Sequence, residues 1–218
     1  MDPGVIAGAV AFVCGYAVGT LPVAWLLVRR RTGVDMRQRG TGGTGSFDAW
    51  RAAGAQTALL ALILELLKGA VVGLAARLYA PQGWFVAAAI AGCVVGDAFP
   101  LGFRRGGRGL APLVSGLLVA LPAAGAVTAV AAVPAAIFTS MRGSIYDAVV
   151  LIAVPVGLLL GTREWQSLVP AAVIVAALLV RAGLRRRLRA ARLGPRSNAM
   201  MVDAPAAGIP QNRAPWDS

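Results

Sequence analysis

The chain contains no histidine. That excludes a Ser-His-Asp or Cys-His relay, a histidine general base and a histidine-ligated metal. Cysteine occurs only as Cys14 and Cys93, each inside an apolar run. Their spacing matches neither a disulfide framework nor a metal site, and both read as small buried hydrophobes. Charge is scarce as well: 14% of the 218 residues are charged, where a soluble domain carries roughly 25%. Acids are the rarer sign, and the chain has a formal charge of +12. The G-x-x-x-x-G-K-[ST] pattern of a nucleotide-binding P-loop does not occur.

What remains is hydrophobic. Apolar residues make up 58% of the chain, and the mean hydropathy is +0.72. The apolar runs are too long and too numerous for a soluble core, so the expected fold is all-α: one polytopic membrane domain over 1–192. The arginines stand between and after these runs, where they set topology and meet anionic headgroups. No nucleic-acid partner is expected from that placement. Met1-Asp2-Pro3 lacks the basic start of a secretory signal, and the first apolar run continues to Val28 before Arg29-Arg30-Arg31. Positive charge after the first span predicts an outward N-terminus.

The spacing predicts spans over Val5–Val28, kinked by Pro22, then Ala55–Leu74 and Trp84–Leu101. The first carries Gly15 and Gly19, a small-xxx-small face suited to close packing. The stretch Leu110 to Ser140 is apolar with three prolines. As one helix it would be about 46 Å long, too long for one span. Two spans, over 110–121 and 124–139, keep Arg142 and the basic run Arg181–Arg192 on the cytoplasmic side. Spans over Ile145–Leu160 and Ser167–Val180 complete seven, with the C-terminus cytoplasmic. The remaining 193–218, rich in Pro, Ala and Asn, reads as a disordered tail.

Two loops then fall on one side of the membrane. The first offers Arg37, Arg39 and Arg51 around Gly40, Gly42, Gly43 and Gly45, with the hydroxyls of Thr41, Thr44 and Ser46. The second offers Arg104, Arg105 and Arg108 around Gly106, Gly107 and Gly109. Glycines let backbone N–H groups converge on an anion, arginine adds bidentate donors, and each loop opens into a helix N-terminus. Together they suit phosphate, although a flexible basic loop is the plainer reading of either alone. Glu65 and Lys68, one helical turn apart, place two charges inside a predicted span. There they are either a structural pair or functional residues. Asp97 stands at the end of the third span, able to pair with a loop arginine or to act as a base.

Several of these residues fall into a known pattern. Gly15-Tyr16 through Gly19-Thr20-Leu21-Pro22 comes first, then Val34-Asp35-Met36-Arg37, Gly40-Thr41-Gly42, Gly45 and Arg51. Glu65-Leu66-Leu67-Lys68-Gly69, Gly96-Asp97-Ala98-Phe99-Pro100 and Phe103-Arg104-Arg105-Gly106-Gly107-Arg108-Gly109 follow. In order and spacing the chain resembles the bacterial acyl-phosphate:glycerol-3-phosphate acyltransferase family (PlsY), from about Gly15 to Arg142. The resemblance implies a seven-helix membrane enzyme that needs neither metal nor cofactor. Its substrates would be glycerol 3-phosphate and acyl phosphate, or another acyl donor, and its surroundings the lipid of the cell membrane. It implies that Thr41 stands at a motif serine and Arg51 at a motif arginine. Gly106, Gly107, Arg108 and Gly109 stand at the phosphate-binding Gly-Gly-Lys-Gly. Thr41 and Asp97 are thus candidate catalytic residues. Gly40, Gly42, Arg51, Lys68, Arg104, Arg105, Gly106, Gly107, Arg108 and Gly109 are candidates for binding phosphate.

The chain departs from the pattern at specific places. Gly43, Ser46, Phe47 and Asp48 replace the asparagine and Ala-Thr-Asn of the first motif. Arg108 replaces a lysine, and Asp97 a histidine. The third motif, with His, Asn and Glu, gives way to Arg181-Ala182-Gly183-Leu184-Arg185-Arg186-Arg187. An acyl phosphate carries a good leaving group, so the transfer needs alignment, charge neutralisation and a place for one proton. A substrate phosphate oxygen can take that proton. Two rivals stand beside the enzyme. One is a degenerate paralogue that binds phospholipid or joins a membrane complex. The other is a transporter lined by Glu65 and Lys68, for which the sequence shows no inverted repeat.

Overall fold

A computed structural model describes residues 3–38, 43–102, 106–138, 143–163 and 165–193. Among them every regular element is helical. In chain order these are α1 (Pro3–Gly19), α2 (Val23–Thr32), α3 (Ser46–Tyr79), α4 (Gly83–Ala98), α5 (Leu110–Ala120), α6 (Pro122–Phe138), α7 (Gly143–Thr162) and α8 (Leu168–Leu193). Single 3₁₀ turns occur at Met36–Gln38 and Trp165–Ser167. Two compact units divide the chain at 182/183. The first holds α1 to α7 and the start of α8. The described part of the second is the helical stretch 183–193.

Two of the predicted spans differ from the structure in an informative way. The first is not one kinked helix. It breaks over Thr20–Pro22 into α1 and α2. Pro22 has no N–H and pushes Leu21 out of the helical region. The N–H of Val23 bonds to the Leu21 carbonyl at 2.9 Å instead of reaching back to Gly19. The Gly19 carbonyl is thereby left without its helical donor. The second predicted span begins at Ala55, whereas α3 begins at Ser46. The difference is Gly54, whose φ of 80° and ψ of 177° interrupt the helix. Only glycine takes such angles without strain. Ser46–Ala53 is therefore a separate helical stretch set at an angle before the long rod of α3. The described part of the 110–140 stretch, 110–138, is two helices, α5 and α6, turning at Leu121 with Pro122 opening α6, where a missing N–H is harmless.

The closest packing is α1 on α4, α3 on α5 and α6 on α7. Small residues make each seam. Gly15 and Gly19 lie on the backbone of Ala89 and Cys93, while Gly92 and Gly96 lie on Phe12 and Tyr16. Gly69 and Gly73 approach Pro112 and Gly116; Gly157 and Gly161 approach Ala124 and Thr128. In lipid, apolar side chains gain little by leaving their surroundings, so helices associate through such close backbone contact. The outer face of α3 fits that setting. Leu59, Ile63, Leu67, Val71, Leu74 and Leu78 are exposed, while Glu65, Lys68, Gly69 and Gly73 are buried. Contiguous apolar surface of this kind is what lipid solvates and water does not. By length and composition, Pro3–Thr32 and Ser46–Tyr79 are long and apolar enough to cross a membrane.

At the centre is α4, buried on almost every face. Val86, Ile90 and Val94 pack with Leu113 and Leu117 of α5, Val154 and Leu158 of α7, and Ile174 of α8. Its C-terminal end delivers Asp97.

Candidate active site

Asp97 is 7% exposed and the Lys68 residue equally so. Lys68 Nζ donates to Asp97 Oδ1 at 2.7 Å and to the Gly19 carbonyl at 3.1 Å. That carbonyl is the one released by the Pro22 break. The other carboxylate oxygen, Oδ2, accepts from the N–H of Gly109 at 2.9 Å. Gly109 sits at φ 72° as the N-cap of α5, so the carboxylate also meets the positive end of that helix. Two side chains thus join α1, α3, α4 and α5. Asp97 pairs with Lys68, where the sequence suggested an arginine. Lys68 takes its ion-pair partner from α4, where the sequence suggested Glu65 one turn away. Glu65 is buried beside the Ser46 hydroxyl, within electrostatic reach of Asp97, Lys68 and Arg181.

Loop two folds back onto the end of α4. Gly106 N–H donates to the Ala98 carbonyl at 3.2 Å and Gly107 N–H to the Asp97 carbonyl at 2.8 Å. A Cβ on Gly107 would land on the Asp97 carboxylate. Of the glycine N–H groups only that of Gly109 meets an anion, the Asp97 carboxylate; those of Gly106 and Gly107 go to the open carbonyls ending α4. The N–H groups of Gly106, Gly107 and Gly109 are therefore turned inward, which leaves the Arg108 side chain as the charged group of the described part of this loop.

Loop one is seated against loop two. Thr44 N–H donates to the Gly106 carbonyl at 3.5 Å, and Arg181 Nη2 to the same oxygen at 3.1 Å. A Cβ on Gly45 would be 3.7 Å from Gly107 Cα. Beyond this junction Phe47 lies under two guanidinium groups. Arg51 is 4.7 Å and Arg108 5.5 Å from the ring centroid. The structure therefore brings Arg51, Lys68, Asp97, Gly106, Gly107, Arg108 and Gly109 into one region. Gly40, Thr41, Gly42, Arg104 and Arg105 lie outside the described residues.

The entry to loop one has its own anchor. Trp25 Nε1 donates to Asp35 Oδ1 at 2.9 Å, and the Arg37 guanidinium holds the same carboxylate at 2.5 to 3.0 Å. Arg29 and Arg37 each lie 5.1 Å from the Trp25 ring centroid. The Arg37 side chain holds the Asp35 carboxyl well below the usual carboxylate range, against the opposing effect of desolvation. The Trp25 indole and the Arg37 N–H assist.

Sequence reasoning missed Arg181, Phe47 and the Gly19 carbonyl. Arg181 was grouped with the basic run behind it; its mark is that it stands at the end of the last apolar segment. Phe47 was read as a lost polar residue; its signal is the i,i+4 spacing to Arg51.

The same architecture is found in proteins of known structure. The crystal structure of PlsY, an integral membrane glycerol 3-phosphate acyltransferase, in its glycerol 3-phosphate form superposes with a TM-score of 0.69. That match covers 86% of this chain and 92% of the other, at 21% identity. The lysophosphatidic acid form gives 0.65. At this identity the likeness is one of fold. A family model described as glycerol-3-phosphate acyltransferase matches residues 9–193. The chain belongs to the glycerol-3-phosphate acyltransferase family. Glycerol-3-phosphate acyltransferase 2 of Deinococcus radiodurans is 38% identical over 170 residues, 73% of this chain and 85% of the relative. The Rubrobacter xylanophilus relative is 40% identical over 98 residues, 44% of this chain. The Halalkalibacterium halodurans relative is 29% identical over 136 residues, 61% of this chain. The chain spans 49% and 66% of the length of these last two relatives.

Two predictions test this geometry. Removing one partner of a buried ion pair costs about 3 to 5 kcal/mol, because a lone charge stays behind. Lys68→Met and Asp97→Ala should each lower unfolding stability by that order. The double variant Lys68→Met/Asp97→Ala should recover part of the loss; a double loss equal to the sum of the singles would contradict the pairing. Folding favours the ionised form of Asp35. Its contribution is therefore complete above the unfolded carboxyl value, near pH 4, and is lost as pH falls from there toward the lower folded value. The melting-temperature gap between wild type and Asp35→Asn should be full at neutral pH and shrink under acid. A gap that does not change with pH would contradict it.

Proposed function

We propose that the chain is a membrane-embedded acyltransferase that moves a fatty acyl group from acyl phosphate to glycerol 3-phosphate. The observation carrying this reading is the junction of the two loops over the Lys68–Asp97 pair, with Arg51 and Arg108 both against the Phe47 ring. Family membership supplies the reaction class; the arginines supply the charge that such a reaction requires.

In this reading the chain crosses the membrane seven times. The N-terminus is outside, both loops and the C-terminus are cytoplasmic, and 193–218 form a tail beyond the membrane domain. The topology rests on the placement of arginine. Phosphates of donor and acceptor meet Arg51 and Arg108, with Arg104 and Arg105 beside them in loop two. Gly40 and Gly42 of loop one join in binding phosphate, and Thr41 acts as the hydroxyl residue at the motif position. A hydroxyl oxygen of glycerol 3-phosphate attacks the acyl carbonyl carbon. The bond from that carbon to the phosphate oxygen breaks, inorganic phosphate leaves, and the hydroxyl proton passes to a phosphate oxygen. No histidine is required, because the leaving group is its own acceptor. The protein supplies alignment and neutralisation of charge. Asp97, engaged on both oxygens, serves as the anchor that shapes loop two.

Purified protein in lipid should convert labelled glycerol 3-phosphate to lysophosphatidate when given acyl phosphate. Losing a charged hydrogen-bond partner costs about 1.5 to 3 kcal/mol. Arg51→Ala and Arg108→Ala should therefore each lower kcat/KM by about ten- to a hundredfold. Absence of product with acyl phosphate, acyl carrier protein and acyl coenzyme A donors alike would overturn the assignment.

A further inference from the structure

The inward turn of the glycine N–H groups raises the question of what aims the arginines. Loop two does not hold Arg108 through a backbone cradle facing the ligand. Arg51 is exposed on the short helix Ser46–Ala53. Two guanidinium groups brought together without an anion repel each other, and long side chains at a surface sample many rotamers. Neither guanidinium makes an ion pair among the described residues. Both instead lie against one ring, at 4.7 and 5.5 Å from the Phe47 centroid.

We propose that Phe47 is the positioning residue of the phosphate clamp: its ring holds Arg51 of loop one and Arg108 of loop two in place by cation–π contact before the phosphate arrives. The face of an aromatic ring is electronegative and attracts a guanidinium without competing for its hydrogen-bond donors. A carboxylate in the same place would occupy those donors and repel the phosphate. The ring offsets part of the repulsion between the two cations and leaves their N–H groups open. Phe47 is itself held. Trp50 packs on it at 5.8 Å and 66°, and the Gly45–Gly107 contact sets the spacing between the loops. Arg51 lies one helical turn beyond Phe47, so the first contact is built into the helix. The second crosses from loop one to loop two, so one ring couples both halves of the clamp. Where the family pattern has a polar residue, this chain positions its phosphate ligands through a ring.

This inference rests on the phosphate reading above, and its test separates the two. Binding of inorganic phosphate and of glycerol 3-phosphate is measured by calorimetry on the full chain in lipid nanodiscs. Wild type is compared with Phe47→Leu, Phe47→Tyr and chains carrying mono-, di- and trifluorophenylalanine at position 47. Each cation–π contact at an exposed site is worth about two- to fivefold in an equilibrium constant, so the preorganisation carried by two is at most about tenfold. Phe47→Leu should therefore weaken binding of both probes several-fold, up to about tenfold. Phe47→Tyr should stay within about twofold of wild type. Fluorination withdraws charge from the ring face with little change of shape, so affinity should fall stepwise with each fluorine. A purely structural ring would not give that gradient. Equal binding by wild type and Phe47→Leu, or no gradient across the fluorinated series, overturns the role of Phe47 while leaving the phosphate site standing. Failure of wild type to bind either probe overturns both.

Discussion

A lysine and an aspartate inside an apolar helix bundle can persist only if each neutralises the other. On insertion scales a central charge costs about 2.5 to 3.5 kcal/mol, and Lys68 and Asp97 meet at 2.7 Å. A buried pair of this kind adds little net stability over an apolar substitute. What it fixes is geometry. Lys68 also needs an acceptor, and the carbonyl released by the Pro22 break supplies it. Asp97 also needs a second donor, and Gly109 supplies it. One arrangement of α1, α3, α4 and α5 satisfies all of these at once. The form of loop two follows, because its glycines close onto the same carboxylate and the same helix end.

The glycines of this chain do two different kinds of work. Along the helices they let backbones touch, as Gly15 and Gly19 do on α4 and Gly69 and Gly73 on α5. In loop two they let the chain turn inward and cover Asp97, where any side chain on Gly107 would collide with the carboxylate. The chemistry that faces outward is left to arginine. A site built this way binds charge through long side chains, and its quality depends on what restrains them.

Much of the fold was legible in sequence because apolar runs and prolines are local signals. The helices beginning at Gly83, Leu110, Pro122, Gly143 and Leu168 start within two residues of their predicted positions. The break at Pro22 was read as a bend, since a proline marks where a helix loses a hydrogen bond but not whether the chain resumes in line. Gly54 passed unremarked because one glycine in an apolar run has no signature of its φ. The site was legible in its members and not in its wiring. Asp97, Lys68, Arg51 and Arg108 were all singled out. Yet the partner of Asp97 depends on how far α4 runs and on which carbonyl Pro22 frees, and those are matters of tertiary packing. Phe47 shows the same limit from the other side. Compared by motif it is a lost polar group, and only its distance to two guanidinium groups gives it a function.

The central claim is that the two loops form a single anion site through Arg51 and Arg108. Phenylglyoxal modifies free guanidinium groups, and mass spectrometry reads each arginine separately. Titrating inorganic phosphate into that reaction should protect Arg51 and Arg108 together, with the same half-protecting concentration, while Arg77, whose guanidinium donates to the Ala120 carbonyl at the far end of α5, shows no phosphate dependence. Protection of only one of the two, or of each at a different concentration, would contradict it.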